Sequence, residues 1–327
     1  MKNRNIAFDL LKLFAIFLVL LGHCIQHMKI SNVEEPIFLL IYSFHMPLFM
    51  MISGYFSLSS LSMRFWPFLK KKTIQLLLPC VTWYVLAHIL PKLALLLLHK
   101  EEKGGISLIL LLRNFWFLKC VFLCYILAFL GFKGKWFGIL LSIIVSLLIP
   151  FFSISFLYPF FLVGILLSKK KILESERKRR VIMISSIVIW GAIICKMRWM
   201  DFNIPISVLL TSPNLLIARC FRVALGLSGA LFFMSLFAEL FNKKKNNKIL
   251  TLSVFGKFTL GVYILQTYVL EEGLCRIISI NHYPLIVADF FIAPSIALFI
   301  MCFCIFIIKV IDRYRLAALL LWGYKRK

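Results

Sequence analysis

The chain of 327 residues is 62% hydrophobic and 16% charged, far more apolar than a soluble domain, where those shares lie nearer half and a quarter. A formal net charge of +25 would suit nucleic acid only if the cations formed one face of a soluble domain, and here they fall between apolar runs of about twenty residues. That excludes a nucleic-acid module and a barrel of short alternating strands, and leaves an all-α, polytopic protein of the cell membrane.

In chain order the apolar runs predict ten transmembrane helices, over residues 6–28, 36–60, 73–98, 114–132, 136–151, 154–168, 181–199, 214–241, 249–270 and 284–308. The fifth and sixth are short enough to be one broken helix. No internal repeat divides the chain, so residues 1–327 read as one integral membrane domain, with a short basic, amphipathic tail over 309–327 along the cytoplasmic surface. Asp9 and Lys12 interrupt the first run and no small-residue cleavage site follows it, so it is expected to stay as an anchor. With both termini cytoplasmic, most Lys and Arg fall inside, including Arg64, Lys70 to Lys72, Lys133, Lys135, Lys169 to Lys171, Arg177 to Arg180, Lys243 to Lys245 and Lys325 to Lys327. Glu34, Glu35, Glu101, Glu102, Asp201, Glu271 and Glu272 then lie outside. The nine cysteines sit mostly in apolar runs without histidines at metal-ligand spacing; they read as small buried hydrophobes, and no metal site is expected.

The first span carries Asp9, Lys12, His23 and His27, costly side chains in hydrocarbon and therefore functional candidates. Lys12 and His23 are eleven residues apart, which brings them within about 20° of one helical face and separates them by about 16 Å along it. The short connection from Lys29 to Glu35 makes the second span an antiparallel neighbour, and counting from its outer end puts His45 at a depth similar to His23. Pro47 removes a backbone hydrogen bond beside His45 and opens space there. The competing reading makes each histidine a satisfied polar residue between helices, and lets Lys12 snorkel or pair with Asp9 at i,i+3.

Further along, Arg219 and Arg222 share a face near the outer end of the eighth span; they could hold an anionic acceptor such as a lipid diphosphate, or pair with outer carboxylates or Asp289. Lys119, Lys257 and Glu239 lie near span ends, where snorkelling accounts for them. Ser53 lies inside the second span without a base beside it in sequence, which favours packing over a nucleophile.

Asp9-Leu10-Leu11-Lys12, ten residues and then His23, followed by Phe44-His45-Met46-Pro47-Leu48-Phe49 and Ser53-Gly54-Tyr55, resembles the membrane acyltransferase-3 family, in particular its fucose 4-O-acetylase-like branch. The family has arginine where this chain has Lys12, which keeps the charge and loses the guanidinium fork. Asn114-Phe115-Trp116-Phe117-Leu118, Phe161-Leu162-Val163-Gly164 and Leu260-Gly261-Val262-Tyr263-Ile264-Leu265-Gln266 extend the resemblance, with Gln266 standing where many relatives have histidine. The resemblance implies a ten-helix enzyme moving an acyl group, commonly acetyl from acetyl-CoA, to a hydroxyl of a surface glycan or its polyprenyl-linked precursor. No permanently bound cofactor is implied. His23 then serves as general base, with His45 orienting the acceptor or stabilising the oxyanion. Lys12 with Asp9 would serve the donor, and Arg219, Arg222 and Ser53 the acceptor. A carrier or flippase for a surface polysaccharide, or a subunit of its export complex, is the alternative that an inward-facing polar stripe also fits.

Overall fold

The computed structural model describes residues 5–28, 36–90, 114–195, 208, 211–241, 246–280 and 282–324, and every regular element among them is helical. The Lys29 to Glu35 connection, residues 91–98 of the expected third span, Glu101, Glu102, Asp201, Lys243 to Lys245 and Lys325 to Lys327 lie outside the described residues.

Six described helical stretches are long and apolar enough to cross a bilayer. They are α1 (Ile6–Met28), α2 (Pro36–Tyr55), α6 (Trp116–Lys133), α10 (Pro213–Phe241), Asn247–Glu271 and Leu285–Ile311. Asn247–Glu271 contains α11 (Asn247–Ser253) and α12 (Thr259–Gln266), and Leu285–Ile311 contains α13 (Leu285–Val287) and α14 (Ala293–Ile311). The second expected span stops at Tyr55, and the chain continues through the short α3 (Leu58–Leu61). The third expected span begins with α4 (Phe65–Lys72) and runs through α5 (Leu78–Tyr84), with π-helical turns at Thr73–Leu77 and Val85–Ile89. The fifth and sixth are two helices, α7 (Lys135–Leu148) and α8 (Ile154–Lys169), because Phe152 and Ser153 at φ 55° and 54° turn the chain back between them. The seventh is α9 (Glu176–Ile194).

Apolar side chains gain nothing by leaving lipid for a helix interface, so close approach of backbones carries more of the association. α2 and α8 show this best. A Cβ added to Gly54 would lie 2.0 Å from the Phe161 carbonyl oxygen, and one added to Gly164 would lie 2.1 Å from that of Met51. The Ser53-Gly54-Tyr55 and Phe161-Leu162-Val163-Gly164 motifs are thus the two halves of one crossing, which fixes α2. Gly226 of α10 makes room for Pro47 in the same way, its Cβ position lying 2.8 Å from the proline Cγ.

α1 occupies the centre, packed against α2, α10, α14 and the 3₁₀ turn Val254–Phe258, with Ala15, Leu20 and Cys24 wholly buried. On α14 the opposite arrangement holds: Phe299, Phe303 and Phe306 are exposed, as on a lipid-facing side, while Ala297, Ile300 and Cys304 are buried. Between α9 and α10, Arg179 and Arg180 both pair with Glu239, which is therefore held by two cations and does not simply snorkel. Lys119 also departs from the snorkelling expectation, being buried and donating to the Asn114 carbonyl. Cys120 and Cys124 are buried and free, and Cys302 is exposed.

The tail differs most from expectation. α14 continues to Ile311, so Lys309 belongs to its last turn, and α15 (Arg315–Trp322) is docked into the bundle. Trp322 is wholly buried, Trp83 Nε1–H donates to the Leu321 carbonyl at 3.2 Å, and Gly323, at φ 68°, lies against the backbone of Ile74 and Gln75. The Trp322 indole thus finds a pocket among Trp83 and its neighbours.

Candidate active site

On α1, Lys12, Ile16 and Val19 follow one another at helical spacing, and His23 is the next residue of that stripe. The first three line a central cavity of about 330 Å³. α2 adds Met46, Phe49, Ile52 and Ser53, α6 adds Phe117, Leu118, Val121 and Tyr125, and α12 adds Leu260 and Tyr263. The cavity thus reaches from Lys12 to Val19 and Met46, one helical turn short of His23, and neither His23 nor His45 is among its lining residues.

Lys12 Nζ is 3.3 Å from Asp9 Oδ1 and 4.5 Å from the centre of the Phe56 ring. The expected i,i+3 pair therefore forms, and it leaves the ammonium in the cavity wall. Asp9 itself is buried, and a Cβ at Gly256 would lie 2.1 Å from its carbonyl oxygen, so the Val254–Phe258 turn is pressed against this end of α1. Ser53 lines the cavity too, with its carbonyl accepting from Tyr125 Oη at 3.2 Å. The Asn114 to Leu118 motif opens α6. Its Phe115 is buried with φ 54°, a left-handed conformation that a bulky residue keeps only when packing imposes it. Asn114 Nδ2–H donates to His88 Nε2 at 3.2 Å, which anchors the turn.

At the other end of the stripe, His23 Nδ1 faces Glu271 Oε1 at 3.4 Å, with about a quarter of each side chain exposed. Glu271 entered the sequence reading only as an outer-side charge; it is half-buried and faces His23 as well. The reason is local. Thr267–Glu271 is a π-helical turn, closed by Glu272 N–H donating to the Thr267 carbonyl at 3.0 Å. A turn bonded at i,i+5 stacks residue i+5 over residue i, which a regular α-helix does not do. Gln266 Nε2–H consequently donates to Glu271 Oε1 at 2.8 Å, and the carboxylate is held toward α1. His27 stacks on His23 with ring centres 5.5 Å apart. Donor atoms of His23, His27 and Glu271 lie within 4.8 Å of one another, a group that could hold a metal ion and that sequence spacing did not suggest.

His45 is buried, and its Nδ1–H donates to the Ile41 carbonyl at 2.8 Å when the ring is neutral, leaving Nε2 as the acceptor. Tyr42 links the His45 segment to α1. Its ring meets His45 edge-on at 4.5 Å, its hydroxyl donates to Gln26 Oε1 at 2.8 Å, and its edge fills the space left by Gly22, the residue before His23. Tyr42 thus touches His45 on its own helix and the Gly22 to Gln26 stretch of α1 that carries His23.

Arg219 and Arg222 are both buried and bond to different helices. Arg219 donates to Ser155 Oγ at 3.3 Å and lies over the Phe156 ring, on α8; Arg222 donates to the Tyr42 carbonyl at 3.2 Å, on α2. In this arrangement Arg222 braces the Tyr42 to His45 segment.

These features define a polytopic, all-helical membrane protein in which one stripe of α1 carries a cation that lines a cavity and, further along, an imidazole facing a carboxylate. The chain belongs to the acyltransferase-3 family: that family's Acyltransferase domain matches residues 5–313. It is also similar to two proteins named Nodulation protein NolL. The one from Sinorhizobium fredii (strain NBRC 101917 / NGR234) is 33% identical over 183 residues, 51% of this chain and 50% of the relative. The one from Mesorhizobium japonicum (strain LMG 29417 / CECT 9101 / MAFF 303099) is 32% identical over 132 residues, 38% of this chain and 35% of the relative. The chain therefore spans about half the length, or less, of these curated relatives. No solved structure matches it.

Proposed function

We propose that this protein is a membrane O-acyltransferase that moves an acyl group, acetyl from acetyl-CoA in the simplest case, to a hydroxyl of a cell-surface glycan or lipid-linked precursor. The observation that carries the reading is the His23–Glu271 pair, braced by Gln266, at the opposite end of the Lys12 stripe. A sugar hydroxyl is a poor nucleophile at neutral pH and needs a base within hydrogen-bond reach. With Nδ1 toward Glu271, His23 presents Nε2 to the acceptor. As the hydroxyl oxygen attacks the thioester carbonyl, its proton passes to Nε2 and Glu271 stabilises the imidazolium. The carbon–sulfur bond then breaks, the leaving thiolate recovers the proton from Nε2, and the ester and free thiol depart. His45, whose Nε2 accepts, suits the role of orienting the acceptor hydroxyl better than donating to an oxyanion. Lys12, in the cavity wall, attracts the donor.

The same reading takes ten spans with both termini in the cytoplasm of a multi-pass plasma-membrane protein. In its support, exposed Trp66 and Trp136 lie beside Lys70 to Lys72 and Lys133 to Lys135, as interfacial tryptophans beside cytoplasmic cations do. A cysteine introduced at Ser175 should escape an impermeant thiol reagent applied outside the cell; labelling above the parent chain reverses the topology. The function is tested by mass spectrometry of surface glycans with and without the protein. Loss of one acetyl mass per modified unit supports transfer, whereas loss of the whole polymer selects transport.

A further inference from the structure

Beyond the central cavity, a second cavity of about 760 Å³ opens at the Lys12 end of the bundle. It is bounded by the Leu250 to Phe258 stretch, the last turn of α14 and the start of the tail, and presents Lys257, Lys309 and Arg313, all exposed. Asp312 is its one acidic lining residue, and Tyr324 Oη donates to that carboxylate. Lys309 and Lys257 lie over the rings of Phe255 and Phe258, each at 4.5 Å, which holds their stems against the wall. Lys257 and Tyr324 line both cavities, so the basic basin adjoins the central cavity and these two residues form the threshold. Just inside, Trp322 lines the central cavity, and its wholly buried Nε1–H has no hydrogen-bond partner among the described residues.

Three cations around a hollow suit phosphate oxygens. A buried donor without a partner costs free energy until an acceptor arrives. From Asp9, against which this segment packs, to His23 is a rise of about 21 Å along α1, comparable to an extended pantetheine arm. We infer that the Lys257, Lys309 and Arg313 basin seats the phosphates at the nucleotide end of an acyl-CoA. Its pantetheine arm passes Tyr324 into the central cavity, where the Trp322 N–H meets an amide carbonyl of the arm. This rests on the acyltransferase reading and adds to it the place where the donor is recognised. The tail, through Trp322 and Tyr324, becomes part of the donor site.

The test is binding of acetyl-CoA and of acetyl-pantetheine, which lacks all phosphates, to the full chain in neutral-lipid nanodiscs. Lys309→Gln with Arg313→Gln, and separately Lys309→Glu with Arg313→Glu, should weaken acetyl-CoA by about tenfold or more per cation lost and leave acetyl-pantetheine within about twofold. Trp322→Phe, which keeps the ring and removes the donor, should weaken both probes alike. Unchanged acetyl-CoA affinity in both double variants overturns the proposal. So does an equal fall for the two probes, since the loss then does not pass through phosphate. The same phosphate chemistry could come from an anionic lipid: if the variants lose retained phosphatidylglycerol while acetyl-CoA binds as before, the basin is a lipid site and the proposal fails. A parent chain that binds no acetyl-CoA sinks the acyl-CoA reading itself, an outcome distinct from a parent that binds and variants that do not differ.

Discussion

The two ends of the α1 stripe are built in opposite ways. At the lower end Lys12 is partnered by Asp9 from its own helix, three residues away, and is set into a cavity wall made by five other stretches of the chain. At the upper end His23 meets Glu271, which arrives from 248 positions further along the chain on a π-helical turn. A local pair persists wherever the helix goes, and its energetic worth is small. A long-range pair exists only while two helices keep their register, so it reports on the assembled bundle and is the natural place for a group that must be aimed.

The comparison breaks first at His23. His23→Ala should lower acyl transfer by about 10² to 10⁴-fold with normal membrane abundance, the contribution of a positioned general base. Full transfer in that variant puts the base elsewhere. Glu271→Gln comes next. It keeps size and hydrogen bonding but removes the charge that steadies the imidazolium, so kcat should fall by about one to two orders of magnitude with donor KM little changed. If donor KM rises instead while kcat holds, Glu271 belongs to binding and the two ends of the stripe are not distinct.

Lys12→Leu should show the reverse split, with donor KM rising by about tenfold and kcat nearly preserved, while Lys12→Arg retains or improves donor use. A leucine variant with the parent's donor saturation curve would mean that the Asp9 pair is all that Lys12 does. The smallest expected effect concerns the His23, His27 and Glu271 group. Read as acid–base machinery, it should keep its activity after treatment with a metal chelator. A loss that added Zn²⁺ restores would make the upper end a metal centre and replace the mechanism.

How much of this was legible beforehand follows the same division. The apolar runs announced the helices, because a bilayer demands about twenty apolar residues whatever their neighbours are. The spacing of Lys12 and His23 announced the stripe, because helical period is a property of the chain alone. The carboxylate of the upper site was not legible. Glu271 follows an apolar run and looks like a loop residue, and nothing local says that a π turn will stack it on Gln266. The two arginines of α10 share a helical face, and it took the fold to show that each reaches a different helix, Arg219 to Ser155 and Arg222 to the Tyr42 carbonyl.

By itself, then, the sequence determined that the chain is helical and membrane-embedded, which face of α1 is polar, and which glycine motifs stand out. Only the tertiary structure decided that Gly54 and Gly164 meet at one crossing, that Glu271 faces His23, and that the tail enters the bundle through Trp322. The physical reason is range. Hydrophobic length and helical period are summed over neighbours in sequence. A carboxylate's partner, a glycine's contact and an indole's pocket are set by whichever backbone arrives from elsewhere, at distances of a few ångströms that no single segment specifies.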